Sequence, residues 1–143
     1  MTATKQKFQY GIGIIVSDSY ETAVDRTKAA LKAEGFGVLT EIDVRATLKE
    51  KLDVDVPPYI ILGACNPALA HRALQAEREI GLLLPCNVIV YEAGDGQTGI
   101  SVMDPDAALG IVDSEDIRPV AREARERLVR VIESLRRSAP TGA

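Results

Sequence analysis

Tryptophan is absent from this 143-residue chain, Phe and Tyr together make up 4%, and there are one histidine and two cysteines. With so few aromatics the core has to be built from Ile, Leu, Val and Ala. A single histidine makes a serine triad improbable, and a tetrahedral zinc site wants four good ligands. Excess positive charge is missing too: the net charge is −4 and the pI is near 5.1. That balance argues against a nucleic-acid partner, because such a protein needs a basic face to displace counterions. No apolar run is long enough for a membrane partner. The first one is interrupted by Gly11 and Gly13 and has no small-residue cleavage site after it, so it reads neither as a signal segment nor as a span. The expected setting is cytoplasmic, where thiols stay reduced and two cysteines do not make a structural staple. "GIGIIV" has no third glycine at the spacing of a dinucleotide loop, so no nucleotide motif is present.

What is present is an ordinary globular mixture, 46% hydrophobic and 27% charged. No repeat, linker or low-complexity tract divides it. The expectation is one domain over residues 1–143, with a core at 8–137 and flexible tails at 1–7 and 138–143. Phe8, Tyr10, Ile12, Ile14 and Val16 alternate as in a strand with one apolar face. "SDSYETAVDRTKAALKAEG" reads as a helix capped by Asp18 with Glu21 three residues on, packed through Tyr20, Val24, Thr27 and Leu31, and stopped at Gly35. A strand follows, with Phe36, Val38, Thr40, Ile42 and Val44 on one side and Glu41 and Asp43 on the other. "RATLKEKL" is a short helix or turn, and "YIILGAC" is an interior strand. Asn66 and Pro67 then open a helix that runs to Gly81. "CNVIVYEA" and "TGISVMD" flank the hairpin turn "GDGQ". Val120, Ala124, Leu128, Val131, Ile132 and Leu135 form the stripe of a last helix. Glu123, Glu126 and Glu133 each precede an arginine by four, at Arg127, Arg130 and Arg137.

The hairpin requires antiparallel pairing. The expected fold class is therefore α+β: a two-layer sandwich, mainly an antiparallel sheet of about five strands, with helices on one face. Gly11, Gly13, Ile15, Leu39, Ile89 and Tyr91 would occupy the other face, which is too apolar for water alone. A homodimer would bury it.

Cys65 and Cys86 sit in matching Cys-Asn surroundings, "GACNPALAH" and "LLPCNVIV". If their strands are antiparallel neighbours, the two thiols share one rim of the sheet. Cys65 also lies just before a helix N-terminus, which favours thiolate over thiol and makes it the more reactive of the two. Against this stands the usual role of a free cysteine as a small buried hydrophobe. A soft metal ion on Cys65 and Cys86 is a possible cofactor; His71 reads as an exposed helix residue, and C-x20-C is no zinc signature. Glu41, Asp43, Asp53 and Asp55 read as acidic residues on solvated surface, and Asp95 as a turn residue.

"VRATLKEKLDVDVPPYIILGACNP", "GLLLPCNVIVYE", the later "MDP" and the closing helix resemble the bacterial family called domain of unknown function 302, from about Phe8 to Leu135. The resemblance implies a small, dimeric α+β protein and brings no established activity. Asp53 departs from it, since glycine is expected there in many relatives. The shared motifs add weight to Cys65 and Cys86 as one site. The leading reading is a homodimeric module that binds a small molecule or soft metal, or senses redox change, at Cys65, Asn66, Cys86 and Asn87, with Lys51 as a charge partner if the short helix folds over that edge. One alternative is a thiol-dependent enzyme with Cys65 as nucleophile, less favoured because no base is evident. The other is a structural or interaction domain with inert cysteines.

Overall fold

The computed structural model describes residues 4–137, with the side chains of residues 4–8 left out of the account. Its strands are β1 (Thr4–Phe8), β2 (Gly11–Val16), β3 (Gly37–Asp43), β4 (Tyr59–Cys65), β5 (Cys86–Gly94) and β6 (Gln97–Met103). They form one sheet in the order β1-β2-β6-β5-β4-β3, with every neighbouring pair antiparallel. The helices are α1 (Tyr20–Ala33), α2 (Val44–Leu52), α3 (Pro67–Ala76), α4 (Pro105–Leu109) and α5 (Ile117–Arg137), with a 3-10 helix over Arg78–Leu83. This is the expected α+β sandwich, with one strand more than the alternation suggested.

The extra strand comes from the N-terminus. The strand expected from Phe8 onward is split by a turn at Gln9 and Tyr10, so that Thr4–Phe8 folds back along β2 with Phe8 opposite Gly11. Residues 4–7 are thus part of the sheet and not a tail; residues 1–3 and 138–143 lie outside the described residues.

Period-two alternation sends Ile12, Ile14 and Val16 from β2, Leu62 and Ala64 from β4, Val88 and Val90 from β5, and Ile100 and Val102 from β6 into one buried layer. Helices α1 and α5 cover that layer. Ala23, Thr27 and Leu31 recur every four residues on α1, and Leu128, Val131, Ile132 and Leu135 complete the cluster from α5. The cap of α1 is Ser19, whose Oγ accepts from the Thr22 amide at 3.2 Å. Asp18, expected there, is instead buried. Arg26 donates to its Oδ2 at 2.5 Å and to the Leu135 carbonyl at 3.1 Å, tying the start of α1 to the end of α5.

The stop at Gly35 is as expected. Its φ of +85° lets the Phe36 amide reach back to the Leu31 carbonyl at 2.9 Å while the Gly35 amide takes Lys32 at 3.0 Å. Asp53 occupies the same left-handed region after α2, with φ +54°. Glycine, expected at this position from the resemblance, would be the unstrained choice there.

Three other expectations shift. The helix opened by Asn66 ends at Ala76 and gives way to the 3-10 turn, so Gly81 lies inside that turn. Strand β3 is an exposed edge; Val44 already belongs to α2, and a bulge between Val38 and Thr40 throws Leu39 out of the alternation. On α5, Glu123 pairs with Arg127 as expected. Arg130 crosses to Glu34 at the end of α1, and Glu133 takes Arg136 at 2.6 Å. Long side chains reached a neighbouring helix or a closer turn before the partner four residues away.

Candidate functional site

Strands β4 and β5 are antiparallel neighbours, with Ala64 opposite Cys86. Cys86 shares the inward parity of Val88 and Val90 and is 8% exposed. Cys65 has the other parity, but the chain turns there into α3, and both cysteines line one cavity of about 320 Å³. The condition set by the sequence, two sulfurs at a common rim, is met.

The cavity has a structural cause. Two apolar clusters share α5. One belongs to the sheet, α1 and the C-terminal half of α5. The other gathers Leu69 and Ala73 of α3, Ile80, Leu109 and the N-terminal half of α5. Along their seam the facing side chains are short, Ala64, Ala73, Ala124 and the two cysteines, so the layers do not close. Leu69, Leu84, Val120 and Phe36 complete the wall. Leu39 and Leu74 stand at the lining and remain 69% and 45% exposed.

Asn66 joins the cavity while acting as the cap of α3, its Oδ1 accepting from the Leu69 amide at 3.2 Å. Its amide nitrogen stands over Gly35, only 2.9 Å from where a Cβ would be. The polar end of the residue thus lies between the start of α3 and the turn that ends α1.

The chemistry expected of Cys65 is corrected by these surroundings. Burial pushes its thiol up from the ordinary value and does not favour the thiolate. At the helix start Pro67 has no amide hydrogen and the Leu69 amide is already taken by Asn66. Cys86 is pushed further, up to about 11, first by burial and then by the neighbouring Cys65. At neutral pH both are therefore uncharged thiols.

Two other expected site residues fall elsewhere. Asn87 follows Cys86 with opposite parity and faces the side of the sheet opposite α1 and α5, in a separate hollow. Lys51 lies on exposed α2, which precedes Tyr59 at the start of β4, whereas Cys65 is at its end. Six residue steps of strand, about 20 Å, separate those ends. Neither residue reaches the thiols. Glu41 pairs with Lys28, Asp43 caps α2 at the Ala46 amide, and Asp53 and Asp55 both meet Lys49. His71 is exposed on α3. Among the described residues no three His, Cys, Asp or Glu side chains converge as a metal site, and no helix is long and apolar enough to cross a membrane.

The apolar wall went unrecognised in the sequence. Its one local signal was Leu69 and Ala73, four residues apart on α3; Val120, Ala124 and Phe36 come from segments with no sequence proximity.

Residues 12–135 match the family described as domain of unknown function DUF302. The fold is similar to a crystal structure of an uncharacterized conserved DUF302 protein from Bacillus stearothermophilus. The two share 31% identity with a TM-score of 0.80, over 88% of this chain and 98% of that one. Among curated proteins none matches.

Proposed function

The chain belongs to the DUF302 family, and from that premise we propose that it is a binding module taking a small, largely apolar molecule into the cavity against Cys65 and Cys86. One observation carries this: a void of about 320 Å³, at the small end of ligand-cavity sizes, whose wall is hydrocarbon apart from two thiols, the Thr40 hydroxyl and the rim amide of Asn66. Uncharged thiols are compatible with an apolar guest and offer it polarizable sulfur contacts. The thiol-enzyme reading is weakened by the same fact, because a nucleophilic cysteine needs a thiolate or an adjacent base.

A soft-metal or redox role is the second reading, favoured by the shared rim alone. It requires two protons to leave thiols that burial holds in place. A homodimer and a cytoplasmic setting belong to the same proposal. The surface for a second copy is the outer part of the face opposite α1 and α5, where Ile42 is 48% exposed beside Ile61.

The test uses protein purified without reductant or chelator, analysed by native mass spectrometry and elemental analysis, and then titrated with toluene by NMR. A bound organic adduct, or saturable toluene binding that Ala70→Leu abolishes while the fold is kept, supports the apolar-ligand reading. Stoichiometric copper or zinc lost in Cys65→Ser favours the metal reading. An empty protein that ignores toluene overturns the first. Sedimentation of Ile42→Glu tests the dimer.

A further inference from the structure

The face of the sheet opposite α1 and α5 carries a second concavity of about 600 Å³ that is unrelated to the cysteine cavity. Three of the chain's four tyrosines, Tyr10, Tyr59 and Tyr91, meet there. In a protein with 4% aromatics that concentration is itself a signal. The sheet register explains how it arises. Tyr59 of β4 lies opposite Tyr91 of β5, and Tyr91 opposite Gly99 of β6. A Cβ at Gly99 would come within 2.2 Å of the Tyr91 ring, so the ring lies flat over bare backbone. Tyr59 stacks on it with ring centroids 5.7 Å apart and planes 22° apart.

Polar groups stand farther along the same hollow: Asn87 precedes Tyr91 by four residues on β5, about 13 Å of strand, and Ser101 follows Gly99 by two on β6. Asn87 is opposite Gly63 on one side and projects exposed from β5, and Ser101 of β6 projects from the same face. Met103 and Ala108 complete the far wall. Among the described residues no Lys, Arg, Asp, Glu or His lines this hollow. Burial, then Tyr91 and Tyr10 nearby, raises the pKa of Tyr59, so its phenol stays neutral and able to donate.

We infer that this hollow is a binding site for an uncharged planar ring carrying hydrogen-bonding substituents, stacked at its Tyr59–Tyr91 end with the substituents directed along the hollow toward Ser101 and Asn87. Flat aromatic walls select a flat guest. An amide and hydroxyls select neutral oxygen and nitrogen groups, and the described lining offers a carboxylate no counter-ion. All of these walls come from one chain, so the site does not depend on a second copy or on the cysteine cavity.

The experiment is NMR of the full chain with ring-labelled tyrosine, titrated with 4-hydroxybenzamide and, separately, with 4-hydroxybenzoate. The expected result is saturable movement of the Tyr10, Tyr59 and Tyr91 signals while Tyr20 stays still, with the carboxylate weaker by about tenfold or more. Asn87→Leu, at an exposed position, should weaken the amide by about tenfold, and Tyr59→Leu should do at least as much. Unsaturable shifts, equal movement at Tyr20, equal affinity for the carboxylate, or indifference to both substitutions would overturn the site. So would binding that tracks subunit dissociation on dilution.

Discussion

Helix α5 runs through two apolar clusters that are packed in different ways. Its C-terminal half sets Leu128, Val131, Ile132 and Leu135 against a layer of Ile, Leu and Val from the central strands, all nearly inaccessible. Its N-terminal half sets Ala121 and Ala124 against Ala73 and Leu69 of α3. Branched side chains from a pleated sheet interdigitate and fill space, whereas alanines facing alanines across helices leave it empty. The cysteine cavity lies where one regime gives way to the other. Its position thus follows from packing, and a binding role there uses a gap the architecture already contains.

The largest expected effect is at the border of the tight cluster. Arg26→Met leaves the carboxylate of Asp18, whose side chain has no solvent exposure, without its ion-pair partner. A loss of about 3–5 kcal/mol by urea denaturation is expected. A loss below 1 kcal/mol would show that the tight region is not closed there.

Next, Leu62→Ala in the sheet layer should cost about 2–5 kcal/mol, while Ala70→Leu at the seam should change stability by less than about 1 kcal/mol. Similar costs at both sites would erase the distinction between the two regions.

The third prediction concerns pH. Cys86 holds its proton more tightly folded than unfolded, so its contribution is fully present below about pH 9 and is lost as the pH rises toward about 11. By that point on the order of 2–3 kcal/mol should have gone. The difference between wild type and Cys86→Ala, followed from pH 8 to 11, isolates it from the tyrosines and lysines. A pH-independent difference would mean that the seam is wet.

The smallest effect lies outside both clusters, on α2, which buries no residue. Asp53→Gly relieves the left-handed backbone but gives up an exposed pair with Lys49. The expected net is a gain of no more than about 1 kcal/mol in thermal or urea unfolding.

Much of the architecture was legible in the chain. Alternation marked β2, a continuous apolar run marked β4, the hairpin turn marked β5 and β6, the dipeptide Asn66-Pro67 marked the start of α3, and the stripe from Val120 to Leu135 marked α5. These are local signals, set by a side-chain period or a capping geometry within a few residues. Strand β1 was missed because the turn at Gln9 and Tyr10 interrupts what reads as one alternating run. Asp18 was misassigned because a carboxylate suits a cap and a buried ion pair equally well, and only Arg26 one side and Leu135 far along the chain decide between them. The candidate site was half visible: Cys65, Asn66 and Cys86 were named, while Asn87 was grouped with them as the neighbour of Cys86 and Lys51 on the condition that α2 folds over that edge.

By itself the sequence determined the fold class, the antiparallel hairpin and the amphipathic closing helix. Each of these depends on spacing between residues that are close along the chain. Tertiary structure alone decided that Cys65 and Cys86 come to one apolar seam, where burial raises both thiols, that Asn87 looks the other way, and that three tyrosines line one hollow with Tyr91 over Gly99. Desolvation and strand register are properties of what surrounds a residue. Those surroundings come from segments that meet only once the chain has folded.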